Sequence, residues 1–400
     1  MTIRSLRHLK KLEGKTIFLR VDFNVPMQGG KILNSDRIID SLPTINFLLD
    51  KRAKIVIASH LGEPVNGSEK KYSLRPVAKK LAKLLKQPVA FSPDCRGAIA
   101  AAAISKLKPS AVLMLENLRF YQGEYDNDAE FAESLAAGTD IYINEAFSVS
   151  HRRQASVAAI KDFLPAYAGL RLEQEVKALS KVAQPVKPLV IVMGGAKLST
   201  KAPLIAKLYK KVSHILIGGA LANDFLSVSN IEIGRSLTEN AQDPFGQKKL
   251  RPLIKKLFKG KKLAAKILLP TDVVVKDKSG QPRLRPVGEV KKTDSILDIG
   301  PETIARYAAI IKSARTLAWN GPMGKFEEKS YRHGTLAIAA LIAARSSGRA
   351  YGVVGGGETI EALQLTKMAE YVDWVSTAGG AMLTYLGGGP MPGLKGIVKI

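Results

Sequence analysis

Cysteine is nearly absent, Cys95 being the one thiol in 400 residues. A disulfide framework is thereby excluded, as is any zinc site built on thiolates, and the usage fits a reducing compartment. Long apolar runs are missing too: none reaches the roughly 18 residues that a membrane span needs. The opening residues, MTIRSLRHLKKLEGK, carry charge without an apolar core. A secretory signal is therefore not expected, and the cytoplasm is the expected compartment. Acidic residues are few, 35 against 61 Lys and Arg, leaving a formal net charge of +26. Such an excess admits attraction of anionic small molecules or of nucleic acid. The densest basic stretch, KKLRPLIKKLFKGKKLAAK from Lys248 to Lys266, holds nine cations and no acid. It reads more plainly as a solvated helical face and a basic turn than as a binding patch.

Hydrophobic residues make up 46% of the chain and charged residues 24%, so the composition is globular and each half can bury its own core. The length predicts two or three domains. Short apolar runs recur: TIFLRVDF from Thr16, AKIVIASH from Ala53, AVLMLENL from Ala111 and DIYINEAF from Asp140. After Pro188 follow LVIVMGGAK, HILIGGA, AKILLPTD, TLAWNGP, AYGVVGGGET and WVSTAGGA. Segments of helical period lie between them, such as RPVAKKLAKLLK from Arg75 and APLIAKLYKKV from Ala202. Strands apolar on both faces and alternating with helices predict parallel sheets covered on both sides. The alternation runs twice. Between the halves, LRLEQEVKALSKV within Phe163–Pro188 predicts one amphipathic helix joining two domains.

The chemistry-bearing residues cluster where the runs end, which is where open α/β sheets bind ligands. In the first half these are Arg20, Asp22, Asn24, Arg37, His60, Arg119, His151, Arg152 and Arg153. Singly, each arginine reads as a surface ion pair, Asp22 as a partner for Arg20, and His60 as a packed loop residue. Together they suit a small, multiply anionic substrate, because guanidinium forks grip carboxylate and phosphate oxygens at two points. The second half places glycines at its strand ends: Gly194–Lys197, Ile217–Ala220, Asn320–Gly324 and Gly355–Thr359. A helical period follows GGGET, so its backbone N–H groups would open a helix and cradle phosphate. No G-x-x-x-x-G-K-[ST] is present, and no G-x-G-x-x-G opens the first half. A P-loop NTPase is excluded and a dehydrogenase disfavoured. An anion-binding half joined to a nucleotide-like half fits phosphoryl transfer, which works by positioning and charge stabilisation.

The segment FLRVDFNVP (Phe18–Pro26) resembles the signature of the phosphoglycerate kinase family. The resemblance continues through SHLGEP, LENLRF, NEAFSVSHR, MGGAK, LPTDVVV, DIGPET, WNGPMGKFE, VVGGGET and STAGGA, in the family's order and over nearly the whole chain. It implies two Rossmann-like, three-layer α/β domains facing each other across a cleft and closing by hinge motion. Residues 1–168 would form the 3-phosphoglycerate domain, with a tail at about 386–400 packing back on it, and residues 169–385 the nucleotide domain. By resemblance, Asp22, Asn24, Arg37, His60, Arg119 and Arg152 hold 3-phosphoglycerate. Lys197, Lys201, Gly218, Gly219, Asn320, Glu327, Gly355, Gly356, Gly357, Glu358 and Thr359 hold ATP or ADP with Mg²⁺, which Glu358 meets through the nucleotide. Arg37, Lys197, Gly356 and Gly357 would surround the phosphoryl group in flight. The resemblance further implies a monomer acting on small molecules, with no membrane partner; the basic charge leaves nucleic acid open. A weakened family member that binds polyanions, or a kinase for another carboxylate, are the competing readings.

The chain departs from the family's pattern at several points. Glu63 stands for Arg, Thr200 for Asp, and Glu145 and Glu358 for Asp; SVSHRRQ replaces a glycine-containing segment whose second histidine is here Gln154. A carboxylate at 63, three residues after His60, would repel an anionic substrate. Glu63 is therefore expected to point away and pair with one of the nearby cations, such as Lys70 or Lys71, or else to lie at the rim where either sign is tolerated; Arg37, Arg119 and Arg152 would then carry the substrate, with Arg153 as an available substitute.

Overall fold

The computed structural model describes residues 2–65, 67–239, 252 and 266–399. Most of the basic run Lys248–Lys266 thus lies outside the described residues. Lys266 itself is described: its ammonium donates to the carbonyls of Tyr209 and Val212, both at 2.9 Å.

The chain divides into two compact units, one of Met1–Lys177 with Pro390–Ile400 and the other of Ala178–Gly389. The helix Leu170–Ala183 runs across that division.

The first unit is built on six strands: β1 (Thr16–Arg20), β2 (Lys54–Ala58), β3 (Val89–Phe91), β4 (Val112–Met114), β5 (Ile141–Asn144) and β6 (Ala166–Ala168). All pair in parallel, in the order β3-β4-β2-β1-β5-β6. Every residue of β1 is buried, as a strand covered on both faces requires. Alternate side chains go to opposite faces. Ile17 and Leu19 join Ile55 and Ile57 in a core closed by Ile38, Ile45 and Leu48 of the helix Asp36–Asp50 and by Val77 and Leu81 of the helix Arg75–Leu85. Phe18, between them in sequence, stacks on Tyr142 with ring centres 6.2 Å apart. Each such fully buried aliphatic side chain contributes about 1.5–3 kcal/mol. The tail is sewn into this unit. Val398–Lys399 pairs antiparallel with Thr2–Ile3, and the Asn144 amide donates to the Gly393 carbonyl at 3.0 Å.

The second unit carries a second six-stranded parallel sheet. Its strands are β7 (Leu189–Met193), β8 (His214–Ile217), β9 (Ile267–Leu268), β13 (Thr316–Asn320), β14 (Tyr351–Gly355) and β15 (Trp374–Ser376). Their order is β9-β8-β7-β13-β14-β15. Trp319 on β13 and Tyr307 on the helix Pro301–Ser313 are fully buried, and the Tyr307 hydroxyl lies 2.8 Å from the Ile217 carbonyl. A small antiparallel sheet, β10 (Asp272–Lys276), β11 (Pro282–Pro286) and β12 (Ser295–Ile299), is inserted between β9 and β13. Its middle strand, β10, supplies Val273 and Val275 to a separate small core. Among the described residues no helix is long and apolar enough to cross a membrane.

Two three-layer α/β units with parallel sheets are thus present. Each anticipated apolar run supplies a strand. Four features lay outside the sequence reading: the edge strands β3 and β6, the antiparallel insert, and the start of the helix Leu198–Leu208, four residues before Ala202.

Candidate active site

Because β1, β2, β4 and β5 run parallel, the loops that follow them emerge at one edge of the first sheet. Arg20, the last residue of β1, is fully buried and points under that edge. Its Nε donates to Ser156 Oγ at 2.8 Å, and Nη2 lies 3.3 Å from His60 Nδ1. Glu124, equally buried, sits 3.9 Å from Nη2 and takes hydrogen bonds from the Ser156 hydroxyl at 2.7 Å and amide at 2.9 Å. Burial pushes the Glu124 carboxyl upward, against the pull of Arg20 and Ser156.

Above this layer, Asp22 accepts from Arg37 and from the Ser148 hydroxyl. Its partner is Arg37, not Arg20. Burial alone would raise the Asp22 carboxyl, but Arg37, His60 and Ser148 hold it well below the usual carboxylate range. His60 is 3% exposed, and burial, aided by Arg20, Arg119 and Arg37, drives it well below its ordinary value despite Asp22. The imidazole is therefore neutral, with one N–H to give. Asn24 Oδ1 accepts from the Gly62 amide at 2.8 Å and ties the loop after β1 to the loop after β2. Arg119, after β4, donates through Nη1 to the Gly62 carbonyl at 2.8 Å. Its side chain is 1% exposed, and Nε and Nη2 are buried without a hydrogen-bond partner. Buried donors left open in this way cost stability.

The structure therefore brings Asp22, Asn24, Arg37, His60 and Arg119 to one edge, while the expectation for Glu63 is corrected. Glu63 does not turn away to Lys70 or Lys71: its Oε1 lies 2.6 Å from Arg119 Nη1 and 3.6 Å from Arg152 Nη1, and its Oε2 accepts from the Tyr125 hydroxyl at 3.2 Å. Lys71 is taken instead by Glu69 at 2.9 Å. The physical reason is that the buried Arg119 guanidinium needs a counter-charge, whereas an exposed lysine is already well solvated. Arg153, the available substitute, is found among other residues. It lines a cavity of about 900 Å³ with Arg4, Lys161 and Lys395. Ser148, Ser156, Glu124 and Tyr125 also stand at this edge and were not anticipated: three are uncharged, and Glu124 has its partners, Arg20 and Ser156, far from it in the chain.

In the second sheet, Met193 is in register with Ile217 on one side and Asn320 on the other, so three glycine loops leave adjacent strand ends together. They interlock: the Gly195 amide donates to the Pro322 carbonyl at 2.8 Å, and the Gly219 amide to the Met323 carbonyl at 2.7 Å. Gly219 has φ +62°, and a Cβ there would stand 2.6 Å from the Gly195 nitrogen, so only glycine lets the loops meet. Gly218 caps the helix Gly219–Val228. A cavity of about 220 Å³ opens here, lined by Gly195, Gly219, Met323, Glu327, Asp298 and Glu358 among others. Asp298, in DIGPET, was not anticipated as a cavity residue. Burial pushes its carboxyl up to about 7, against hydrogen bonds from the Gly334 and Ile299 amides.

Lys197 is exposed at the N-cap of the helix Leu198–Leu208. Lys201, one turn on, is 5% exposed and donates to the Gly194 carbonyl. Burial pulls its ammonium down to about 8, although Glu358 and Glu239 oppose the shift. Thr200 bonds back to the Lys197 carbonyl at 2.9 Å. Gly355 closes β14, and Gly356, at φ +104°, turns the chain into the helix Gly357–Leu365, whose N-terminal end has the polarity that suits an anion. Asn320 and Thr359 brace this turn. The Asn320 amide donates to the Gly355 carbonyl, and Thr359 Oγ1 accepts from the Gly321 amide, both at 2.7 Å.

Residues 6–389 match the family model described as phosphoglycerate kinase. The chain belongs to the phosphoglycerate kinase family. A phosphoglycerate kinase of Bartonella tribocorum is 41% identical over 405 residues, covering 100% of both chains. Among solved structures, the phosphoglycerate kinase of Coxiella burnetii aligns with TM-score 0.83 at 37% identity, covering 99% of each chain. That of Pyrococcus horikoshii aligns with TM-score 0.84 at 30% identity, covering 98% of each. The departures from the family's pattern are now located. Glu145, longer by a methylene than the expected Asp, is buried and accepts from Thr44 Oγ1 and from the Arg171 amide at 3.1 Å, at the start of the helix Leu170–Ala183. Burial lifts its carboxyl to about 8 against those bonds. Gln154 is buried with Oε1 unpartnered. Glu358 lines the glycine-walled cavity.

Proposed function

We propose that the chain transfers a phosphoryl group reversibly between ATP and the carboxylate of 3-phosphoglycerate, giving ADP and 1,3-bisphosphoglycerate. The observation that carries the reading is the anion-binding set at the edge of the first sheet: Arg37 and Arg119 beside the neutral His60, with Arg119 Nε and Nη2 buried and unpartnered. Arg119 and Arg152 suit a phosphate, and Asp22, Asn24 and His60 suit a hydroxyl and carboxylate beside it. A carboxylate acceptor, with a pKa near ~4, is ionised at neutral pH and needs no general base.

The second unit takes the nucleotide. The glycine wall at Gly219, which Gly218 precedes as the helix cap, admits it closely, and Glu327 lies at the same cavity. The Gly356 and Gly357 turn offers amides to its phosphates, with Asn320, Thr359 and Gly355 holding that turn in place. Lys197 and Arg37 are the cations for the phosphoryl oxygens, where charge grows in the transition state. Lys201 serves the nucleotide phosphates.

Mg²⁺ fits this cavity. Its usual donors are one or two carboxylates plus substrate phosphates, and Glu358 supplies a carboxylate on the cavity wall. Among the described residues no cluster of three or more His, Cys, Asp or Glu could hold a metal by itself, so phosphate oxygens would complete the set. Bound there, the ion would neutralise phosphate charge. A monomer in the cytoplasm is the accompanying proposal. The test is a coupled assay. ATP should be consumed only when 3-phosphoglycerate is present, and ATP turnover that ignores 3-phosphoglycerate would refute the reading.

A further inference from the structure

We propose that Glu63 is a resident counter-anion: its carboxylate occupies the place of the substrate's phosphate on Arg119 and must be exchanged out when substrate binds. The inference rests on the assignment of Arg119 to the substrate site.

Three observations carry it. The first is access. The Arg119 side chain is 1% exposed, its Nη1 is shared by the Gly62 carbonyl and Glu63 Oε1, and the Tyr125 ring lies 5.6 Å from its guanidinium carbon. Nε and Nη2 are buried, so an anion reaching this guanidinium through Nη1 meets Glu63 there. The second is asymmetry. Glu63 is 61% exposed, while the cation it covers is buried. The carboxylate can therefore return to water cheaply, whereas Arg119 left behind would be a buried charge without a partner, which is costly. Departure of Glu63 is thus tied to arrival of another anion. The third is charge. Arg119 and Arg152 together offer two positive charges, and Glu63 cancels one of them. A phosphate monoester carries about −1.5 to −2 at neutral pH. It matches the two arginines only once the carboxylate has left. Glu63 holds Arg119 through a single oxygen, Oε1, its Oε2 being taken by Tyr125, whereas a phosphate can offer two oxygens to a guanidinium fork.

Exchange makes substrate affinity the difference between two anions' hold on Arg119. Removing the resident anion should tighten substrate binding. Glu63→Gln keeps the length of the side chain and removes its charge. Titration calorimetry with 3-phosphoglycerate should give a Kd lower by roughly threefold to tenfold, given the modest coupling of ion pairs with one exposed partner. The KM for 3-phosphoglycerate should fall in parallel, with the gain in KM and not in kcat, and the KM for ATP should stay as it is. A Kd that is unchanged or raised would overturn the proposal, since Glu63 would then be orienting Arg119 for substrate. The double variant with Arg119→Ala isolates the route. Without the guanidinium, Glu63→Gln should tighten binding less than twofold, and full tightening there would overturn the exchange. Arg119→Ala alone tests the underlying assignment: if it leaves 3-phosphoglycerate binding intact, Arg119 is not a substrate ligand and the site reading itself fails. Weakened binding in Arg119→Ala, together with no gain in Glu63→Gln, would sink only the exchange.

Discussion

Replacing Glu124 by glutamine should lower the melting temperature of the first unit by about 6–10 °C. Glu124 and Arg20 are both fully buried, 3.9 Å apart, with the Ser156 hydroxyl bonded to each. Removing one charge of such a pair strands the other in a low dielectric, at a cost of about 3–5 kcal/mol. In a unit of this size each 1 kcal/mol moves the midpoint by roughly 2–4 °C. The product spans about 6–20 °C, and glutamine, by keeping an acceptor for Ser156, places the expected shift at its lower end. The damage should reach the site as well, because Arg20 Nη2 lies 3.3 Å from His60 Nδ1. A guanidinium without its counter-charge will move, and 3-phosphoglycerate affinity should fall with it. Differential scanning calorimetry at neutral pH reads the first effect and titration calorimetry the second. Removing both charges, Arg20→Met with Glu124→Gln, should recover part of the lost stability, since no charge is then stranded. A single-variant shift under about 2 °C, or a double variant that merely adds the two losses, would refute the reasoning.

Lys197→Ala should reduce turnover by roughly 10²-fold or more, as loss of one preorganised donor does, with the melting curve unchanged; near-normal turnover would remove Lys197 from the mechanism. Lys201 sits at about 8 in the folded chain against 10.5 as its ordinary value. Binding that uses its ammonium should therefore weaken as pH rises through about 8, and a nucleotide titration from pH 7 to 9.5 should lose that step in Lys201→Met. The stability sign is opposite. The unfolded chain holds this proton up to about 10.5, so burial of the ammonium costs stability below about 8 and the cost fades as pH rises from there toward 10.5. Gly219→Ala should destabilise the second unit by about 1–3 kcal/mol, because alanine at φ +62° is strained and its Cβ meets the Gly195 nitrogen and the Pro322 carbonyl; a denaturation midpoint equal to that of the parent would contradict the interlocked loops.

The sheets were legible because their strands are covered on both faces, and a run such as TIFLR or LVIVM has no other economical fate. The strands that escaped notice break that rule. Val89–Phe91 and Ala166–Ala168 are three-residue edges, and Pro282–Pro286 exposes four of its five residues. The site was legible as a set of strand-end residues, since parallel strands bring such ends together whatever the intervening sequence. Partners within the site were not. Glu63 was matched with lysines near it in the chain, while its actual partner is 56 residues away and had to be buried before it could compete. Lys201 entered by resemblance alone, and its burial, with the ammonium on the Gly194 carbonyl, was not legible in the sequence.

The pairing of Thr2–Ile3 with Val398–Lys399 also constrains how the chain can be made. Gly393 holds Asn144 at the end of a central strand, and Pro392 and Lys395 offer carbonyls to the Lys161 ammonium. On the ribosome, domains usually settle in order of synthesis, yet this first unit lacks those contacts until residues 390–399 have left the exit tunnel. The second unit, contiguous from Ala178 to Gly389, has its full complement earlier. A released chain truncated after Gly389 should therefore resist protease better in its later half than in its earlier one, and a first half fully protected in that truncation would show that the tail is dispensable.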